Sequence, residues 1–415
     1  MNLTSIKLVN FGHFEEISLE FEPKFNLLVG DNSAGKTTIL NGIAVAIGSI
    51  LLCVPEQDSR HIRPKDVRKV LINSKSEQYE ESKFPVEVYA SGSIFEDKVI
   101  DWSRFLNGVR RRTTTRIPNL RREFNAIEEL GNLPLVAFYG SGRLWREPYD
   151  LDDTSNPKRY DGYHRAIDPR VNSSQFISWM KHQAFADMQD GQSSAYRNVC
   201  QTIAKCFVDD KVKIQYNIRR KQLEVTSQGK SVAFSHLSDG QRSVVSMVGD
   251  MAVRAVTLNP HLDERACEDV KGVVLIDEVD LHLHPKWQRK FVEVLSNSFP
   301  NVQFIATTHS PFIIQGMHTG RVINLDKPGH IETEETYNRS IEEIVKYVQG
   351  VERPNHSAEH ERKTDQAIEF LQLLETPRTT QTERKLDLIL EKFSDDPAAN
   401  ALLHFKREIK KLDDV

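Results

Sequence analysis

The sequence predicts an α/β fold: a head with a mixed β-sheet core, a helical insertion and a helical C-terminal region. Three observations predict it. The apolar run Phe25–Val29 leads straight into a glycine-bearing loop, and an apolar helical segment follows. A second apolar run, residues 273–276, ends in the adjacent acids Asp277 and Glu278. A third, Val302–Thr307, is followed by Thr308, His309 and Ser310. Short apolar runs bounded by turn residues and separated by helical segments read as buried strands of one core.

At 415 residues the chain has ample length for a large core. Hydrophobic residues make up 39% and charged residues 27%, the balance of a globular protein. The formal net charge of −4 excludes a global basic field, so any nucleic-acid contact must come from a local patch. None of the four cysteines forms a Cys-x-x-Cys pair, which suits reduced thiols and a cytoplasmic location. The longest apolar stretch, residues 43–54, is too short for a membrane span, so no membrane contact is expected.

The elements follow in order. Ile6, Leu8 and Phe11, then Ile17, Leu19 and Phe21, suggest an opening pair of strands. Residues 38–51 are apolar all round and read as a buried helix. Residues 55–207 read as a long insertion, a helical lobe plus a basic segment, in which residues 85–92, 98–102 and 133–139 suggest strands. Residues 211–228 suggest two paired strands, and residues 238–258 and 286–299 suggest helices. The expected boundaries are residues 1–54 and 208–327 for the core, 55–207 for the insertion and 328–415 for the helical C-terminal region. In the last, Asp396-Pro397 is a helix start, and Ile368, Leu371 and Leu374, like Leu402, Phe405 and Ile409, form apolar stripes.

Gly30-Asp31-Asn32-Ser33-Ala34-Gly35-Lys36-Thr37 fits G-x-x-x-x-G-K-[ST] in the required context of strand before and helix after. Glycines let backbone N–H groups of Asn32, Ser33, Ala34, Gly35 and Thr38 turn toward phosphate, and the helix start adds positive potential. Lys36 reaches the terminal phosphates of ATP, and the Thr37 hydroxyl suits Mg2+. Asp277 fits the Mg2+ shell, and Glu278 the orientation or deprotonation of an attacking water. Ser238, Gly240 and Gln241, at the start of a helix, offer either a second anion site or simply a well-capped helix. His309 stands where it would hydrogen-bond the γ-phosphate.

In that order the motifs resemble the nucleotide-binding domain of ABC-type ATPases, in the SMC/RecF/OLD-like branch. Leu237-Ser238-Asp239-Gly240-Gln241 resembles the superfamily signature, and Asp277-Glu278 with Asp280-Leu281-His282-Leu283-His284-Pro285 resembles its Walker B and D-loop. The resemblance implies two copies face to face, with Ser238 and Gly240 acting on ATP held by the partner. A finer similarity, carried by Phe138-Tyr139-Gly140-Ser141-Gly142-Arg143-Leu144-Trp145, is to the Septu ATPases (PtuA) of anti-phage defence, retron-associated relatives included. It implies a regulatory ATPase whose nuclease partner, of HNH type, is supplied in trans and docks on the C-terminal helices. A RecF-like DNA-repair ATPase is the alternative, and a transporter ATPase subunit a third. No glutamine stands at the superfamily's usual short distance after Lys36, which leaves Gln175 and Gln183 as open choices for the Q-loop.

Two further groups stand apart. Arg104, Arg110, Arg111, Arg112, Arg116, Arg121 and Arg122 read either as a DNA- or RNA-binding patch or as a solvated or intersubunit surface. His356 and His360, with Glu359 between, have helical metal spacing but no third ligand, which favours a polar surface. No nuclease motif is found between residues 310 and 415.

Overall fold

The computed structural model describes residues 1–73, 78–95, 98–127, 131–142, 158–169, 174–191, 193–207, 211–326, 331–333, 338–351, 357–376 and 379–413. It divides into two units, Met1–Ile344 and Val345–Val415.

The larger unit opens with β1 (Asn2–Phe11), β2 (Phe14–Glu20) and β3 (Phe25–Val29), then α1 (Lys36–Ile47). Next come β4 (Lys69–Asn73), β5 (Gln78–Ser82), β6 (Val86–Ser93), β7 (Ile100–Leu106), β8 (Thr114–Arg116), α2 (Leu120–Ile127) and β9 (Leu135–Tyr139). A helical and β-hairpin stretch follows: α3 (Ser174–Asp190), α4 (Ser194–Ala204), β10 (Lys213–Asn217), β11 (Gln222–Ser227) and β12 (Lys230–Ala233). Then come α5 (Asp239–Leu258), α6 (Ala266–Asp269), β13 (Gly272–Ile276), α7 (Pro285–Ser298), β14 (Val302–Thr307), α8 (Pro311–Gln315), β15 (Arg321–Asn324), β16 (Ile331–Thr333) and α9 (Ile341–Glu343).

The central sheet has the order β16-β15-β3-β14-β13-β9. All its pairings are parallel except β15 with β16. Every residue of β3, β9, β13 and β14 is buried, which is why these strands read as continuous apolar runs without alternation. Parallel strands end on one edge, so the residues after Val29, Tyr139, Ile276, Thr307 and Asn324 gather there.

A second sheet, β2-β1-β6-β7-β8, is antiparallel. α1 packs between the two sheets. A Cβ on its Gly42 would meet Leu8 of β1 at 2.7 Å, and Trp102 of β7 donates through Nε1 to Ala46 O at 3.0 Å. Residues 55–207 are therefore not a separate helical insertion. β6, β7 and β8 complete the antiparallel sheet through β1, and β9 is an edge strand of the central one. The period-two burial of β6 records this contact with the core. The core also runs past residue 327, because β16 pairs with β15.

The smaller unit holds α10 (Ala358–Leu374), α11 (Thr380–Glu391) and α12 (Pro397–Asp413). Phe370, Leu374, Leu386, Ile389, Leu390, Phe393 and Leu403 form its own apolar core. Arg407 braces α12 on α11 through Asp387 (2.7 Å) and Glu383. Ile368, Leu371, Leu402, Phe405 and Ile409 remain exposed.

Candidate nucleotide site

The glycine-bearing loop leaves β3 with backbone that only small or permissive residues adopt: φ is 149° at Gly30, 76° at Ser33 and 93° at Gly35. Gly35 has a second constraint. A Cβ there would lie 2.3 Å from His13 Cε1 and 2.4 Å from Phe14 Cζ. The β1–β2 turn thus lies directly on the loop, and a Cβ on Gly12 would meet Thr38 in the same way. His13 and Phe14, with ring centroids 3.9 Å apart, were not foreseen from the sequence, because nothing local ties a hairpin to a loop twenty residues later.

Lys36 is buried, and its ammonium donates to Gly30 O (2.7 Å) and Asp31 O (2.8 Å). Desolvation lowers its pKa, opposed by the nearby carboxylates of Asp326, Asp277, Asp31 and Glu278. Asp326, beyond the end of β15, accepts the Asp31 N–H at 2.7 Å. It too was missed, although an acid just past a strand of this sheet is bound to reach the same edge.

Thr37 donates to both oxygens of Asp277, at 3.1 and 3.0 Å. Asp277 is buried and also accepts from the Thr307 hydroxyl at 2.7 Å. The same hydroxyl accepts the Glu278 N–H at 2.7 Å. One side chain of β14 therefore fixes both members of the acidic pair. Glu278 has φ 50°, a left-handed conformation that costs a non-glycine residue energy and turns its side chain away from the run of the strand. His309 is exposed at the end of β14, on the same edge. The hydroxyl and carboxylate oxygens of Thr37 and Asp277 are the hard donors that Mg2+ prefers, already adjacent, so these residues fit the ion.

The signature residues stand apart. Ser238 caps α5 and forms a capping box with Gln241. Ser238 Oγ accepts from Gln241 N (3.3 Å), and the Gln241 side chain accepts from Ser238 N (3.2 Å) and from the Ser238 hydroxyl (3.1 Å). Both readings of this helix start are compatible with that geometry: the cap exists, and it is exposed at the positive end of a twenty-residue helix. Among the described residues, no hydrogen bond links Ser238 or Gln241 to residues 30–38 of the same chain. Gly240 is required for close approach, since a Cβ there would lie 2.4 Å from His282 O, in the segment after Glu278.

The Gln183 amide donates to Asp187 Oδ1 (3.3 Å) and Ser193 Oγ (3.0 Å) within the helical layer. Arg143, Leu144, Trp145 and His356 lie outside the described residues, and these include no metal-binding cluster of His, Cys, Asp and Glu.

Arg104 does not belong to the basic patch. It is fully buried and donates to Val45 O (3.0 Å), Arg60 O (2.7 Å), Ser59 Oγ and Thr115 Oγ1. The alternation of β7 turns it inward, where its charge meets the C-terminal end of α1. Arg110, Arg111, Arg112, Arg116, Arg121 and Arg122 are exposed, and the Arg116 guanidinium lies 5.0 Å from the Phe105 ring centre. A cavity of about 1100 Å³ beside this face, lined by Lys7, Tyr89, Asp101 and Arg116, includes no phosphate-loop residue.

The family model described as "AAA domain, putative AbiEii toxin, Type IV TA system" matches residues 25–315. The chain is 25% identical over 384 residues to the retron Vc95 probable ATPase of Vibrio cholerae serotype O1 biovar El Tor, an alignment covering 76% of this chain and 71% of that protein. To the retron Ec83 probable ATPase of Escherichia coli it is 23% identical, over 75% of this chain and 69% of that one. To the Septu protein PtuA of Bacillus thuringiensis it is 24% identical, over 84% and 81%.

Proposed function

The chain belongs to the AAA-domain family described as a putative AbiEii toxin of a Type IV TA system, and from that premise we propose that it is an ATP-driven assembly switch of an anti-phage defence complex. One observation carries the reading. The phosphate loop and acidic pair form a joined cluster, whereas Ser238, exposed at a helix start, and the half-buried Gln241 hydrogen-bond, among the described residues, only each other and their own helix. Two copies related by a two-fold axis bring each exposed helix start to the other's nucleotide. The signature resemblance and the kinship with retron and Septu ATPases support the same arrangement.

Each residue then has a task. The loop N–H groups and Lys36 hold the phosphates. Thr37 and Asp277 hold Mg2+, which when bound would neutralise charge on the β- and γ-phosphates. Glu278 accepts a proton from, or aligns, the attacking water, and His309 meets the γ-phosphate from the same edge. ATP keeps the dimer closed, and hydrolysis releases it.

In this reading nuclease chemistry comes in trans from a subunit of HNH type, docked on residues 345–415. That unit packs its own core and still exposes Ile368, Leu371, Leu402, Phe405 and Ile409. The exposed arginines from Arg110 to Arg122 are the proposed contact for DNA or RNA. Ending the chain after Ile344 tests the dock: ATP-dependent dimerisation should persist while the nuclease no longer co-purifies. Undiminished co-purification would refute the dock.

A further inference from the structure

A buried polar trio joins α5 to the strand beside the acidic pair. The Tyr139 hydroxyl, at the end of β9, donates to Asp250 Oδ2 at 2.7 Å. Arg254 donates through Nε to the same oxygen at 2.7 Å. Its Nη1 reaches Gly162 O (2.7 Å) and His164 O (3.1 Å). The Asp250 and Arg254 side chains are 5% and 4% exposed. Burying a carboxylate and a guanidinium is costly, and an apolar pair of similar volume would pack as well or better. A geometric consequence sets this trio apart from ordinary core packing.

Tyr139 faces the site with its backbone. Its carbonyl accepts the Asp277 N–H at 2.8 Å, and it pairs with Ile276 in the parallel ladder. At the other end, α5 begins at Ser238 and packs Gly240 on the His282 carbonyl. The helix thus packs at Gly240 on the segment after Glu278 and is tied at Asp250 to β9, whose Tyr139 carbonyl holds Asp277. Ten residues of helix separate Gly240 from Asp250 by about 15 Å. A rigid helix held at two such points cannot tilt without moving Tyr139, and through its carbonyl Asp277.

We propose that Tyr139, Asp250 and Arg254 form a positioning relay, which transmits the seating of the α5 start on a partner's nucleotide to the Asp277–Glu278 pair. The inference rests on the shared-site reading above. None of the three touches the nucleotide, and their work is to set when the acidic pair is aligned.

Tyr139→Phe, made in the full chain, removes one hydroxyl and keeps the ring. ATP affinity, ATP-dependent dimer mass and turnover per dimer are measured side by side. The relay predicts affinity and dimer formation within about two-fold of the parent, and turnover reduced about ten-fold. Turnover within two-fold of the parent overturns it. Should Tyr139→Phe fail to bind ATP, the apolar combination Tyr139→Phe, Asp250→Leu, Arg254→Met decides in its place by the same criteria. Loss of ATP binding in both reduces the trio to a fold-keeping role and also overturns the proposal. A parent chain that stays monomeric with ATP instead defeats the shared-site reading, so the two failures are distinct.

Discussion

The Thr37 hydroxyl lies 3.1 and 3.0 Å from the two carboxylate oxygens of Asp277, across 240 residues of sequence. This contact joins the phosphate loop to the end of the acidic strand. Asp277→Ala should spare folding, since Thr37 is exposed and can turn to water while the buried Thr307 hydroxyl keeps its bond to the Glu278 N–H. It should cut Mg2+-dependent hydrolysis by about a hundred-fold or more, as loss of a principal transition-state charge partner does. Steady-state ATPase assays with Mg2+ varied check this, and a parental rate at saturating Mg2+ would contradict it.

Glu278→Gln keeps the size and hydrogen bonding of the side chain but not its basicity. The backbone bond from Glu278 N to Thr307 is untouched. ATP should bind as in the parent while hydrolysis falls by about two orders of magnitude. Light scattering should then find a long-lived ATP-bound oligomer.

Lys36 supplies a pH signature. Burial lowers its pKa in the free protein, and bound phosphate, being anionic, raises it again. ATP binding should take up protons as pH rises through the depressed value toward the ordinary lysine range. Calorimetry in two buffers of different ionisation enthalpy measures this. Lys36→Arg should abolish the uptake, and its survival there would assign the proton to another group.

Arg104→Ala and the exposed arginines separate stability from binding. Arg104 satisfies two carbonyls and two hydroxyls, so its loss should cost at least about 3 kcal/mol and lower the Tm by several degrees. Replacing Arg110, Arg111 and Arg112 together by Ala should leave Tm unchanged and flatten the salt dependence of any nucleic-acid binding. An unchanged salt slope would remove these residues from the interface.

These contrasts follow what sequence can carry. Residues 30–37, Asp277-Glu278 and the Ser238–Gln241 cap were legible because each is a local pattern whose chemistry needs those residues within a few positions. Arg104 was misread because a basic residue in a polar stretch looks exposed, and only the pairing of β7 with β6 turns it inward. β6 to β9 were assigned to an insertion because the pairings that join them to the core, β6 with β1 and β9 with β13, link segments far apart in sequence and leave no local trace. Asp326 reaches the loop by the pairing of β15 with β3, and His13 and Phe14 by the packing of the β1–β2 turn on Gly35. Gly240 was read as part of an anion site or a helix cap, and the structure adds a steric reason for it, the His282 carbonyl in the place of a Cβ.

The central claim, that each ATP is completed by a second copy, is tested most directly by mixing two inactive variants. Lys36→Ala removes the phosphate-loop half, and Ser238→Arg blocks the helix-start half. Each alone should be without ATPase activity. In an equal mixture, half the dimers would be mixed, each with one intact composite site, and about a quarter of the parental rate should return. A mixture as inactive as its components would contradict the account.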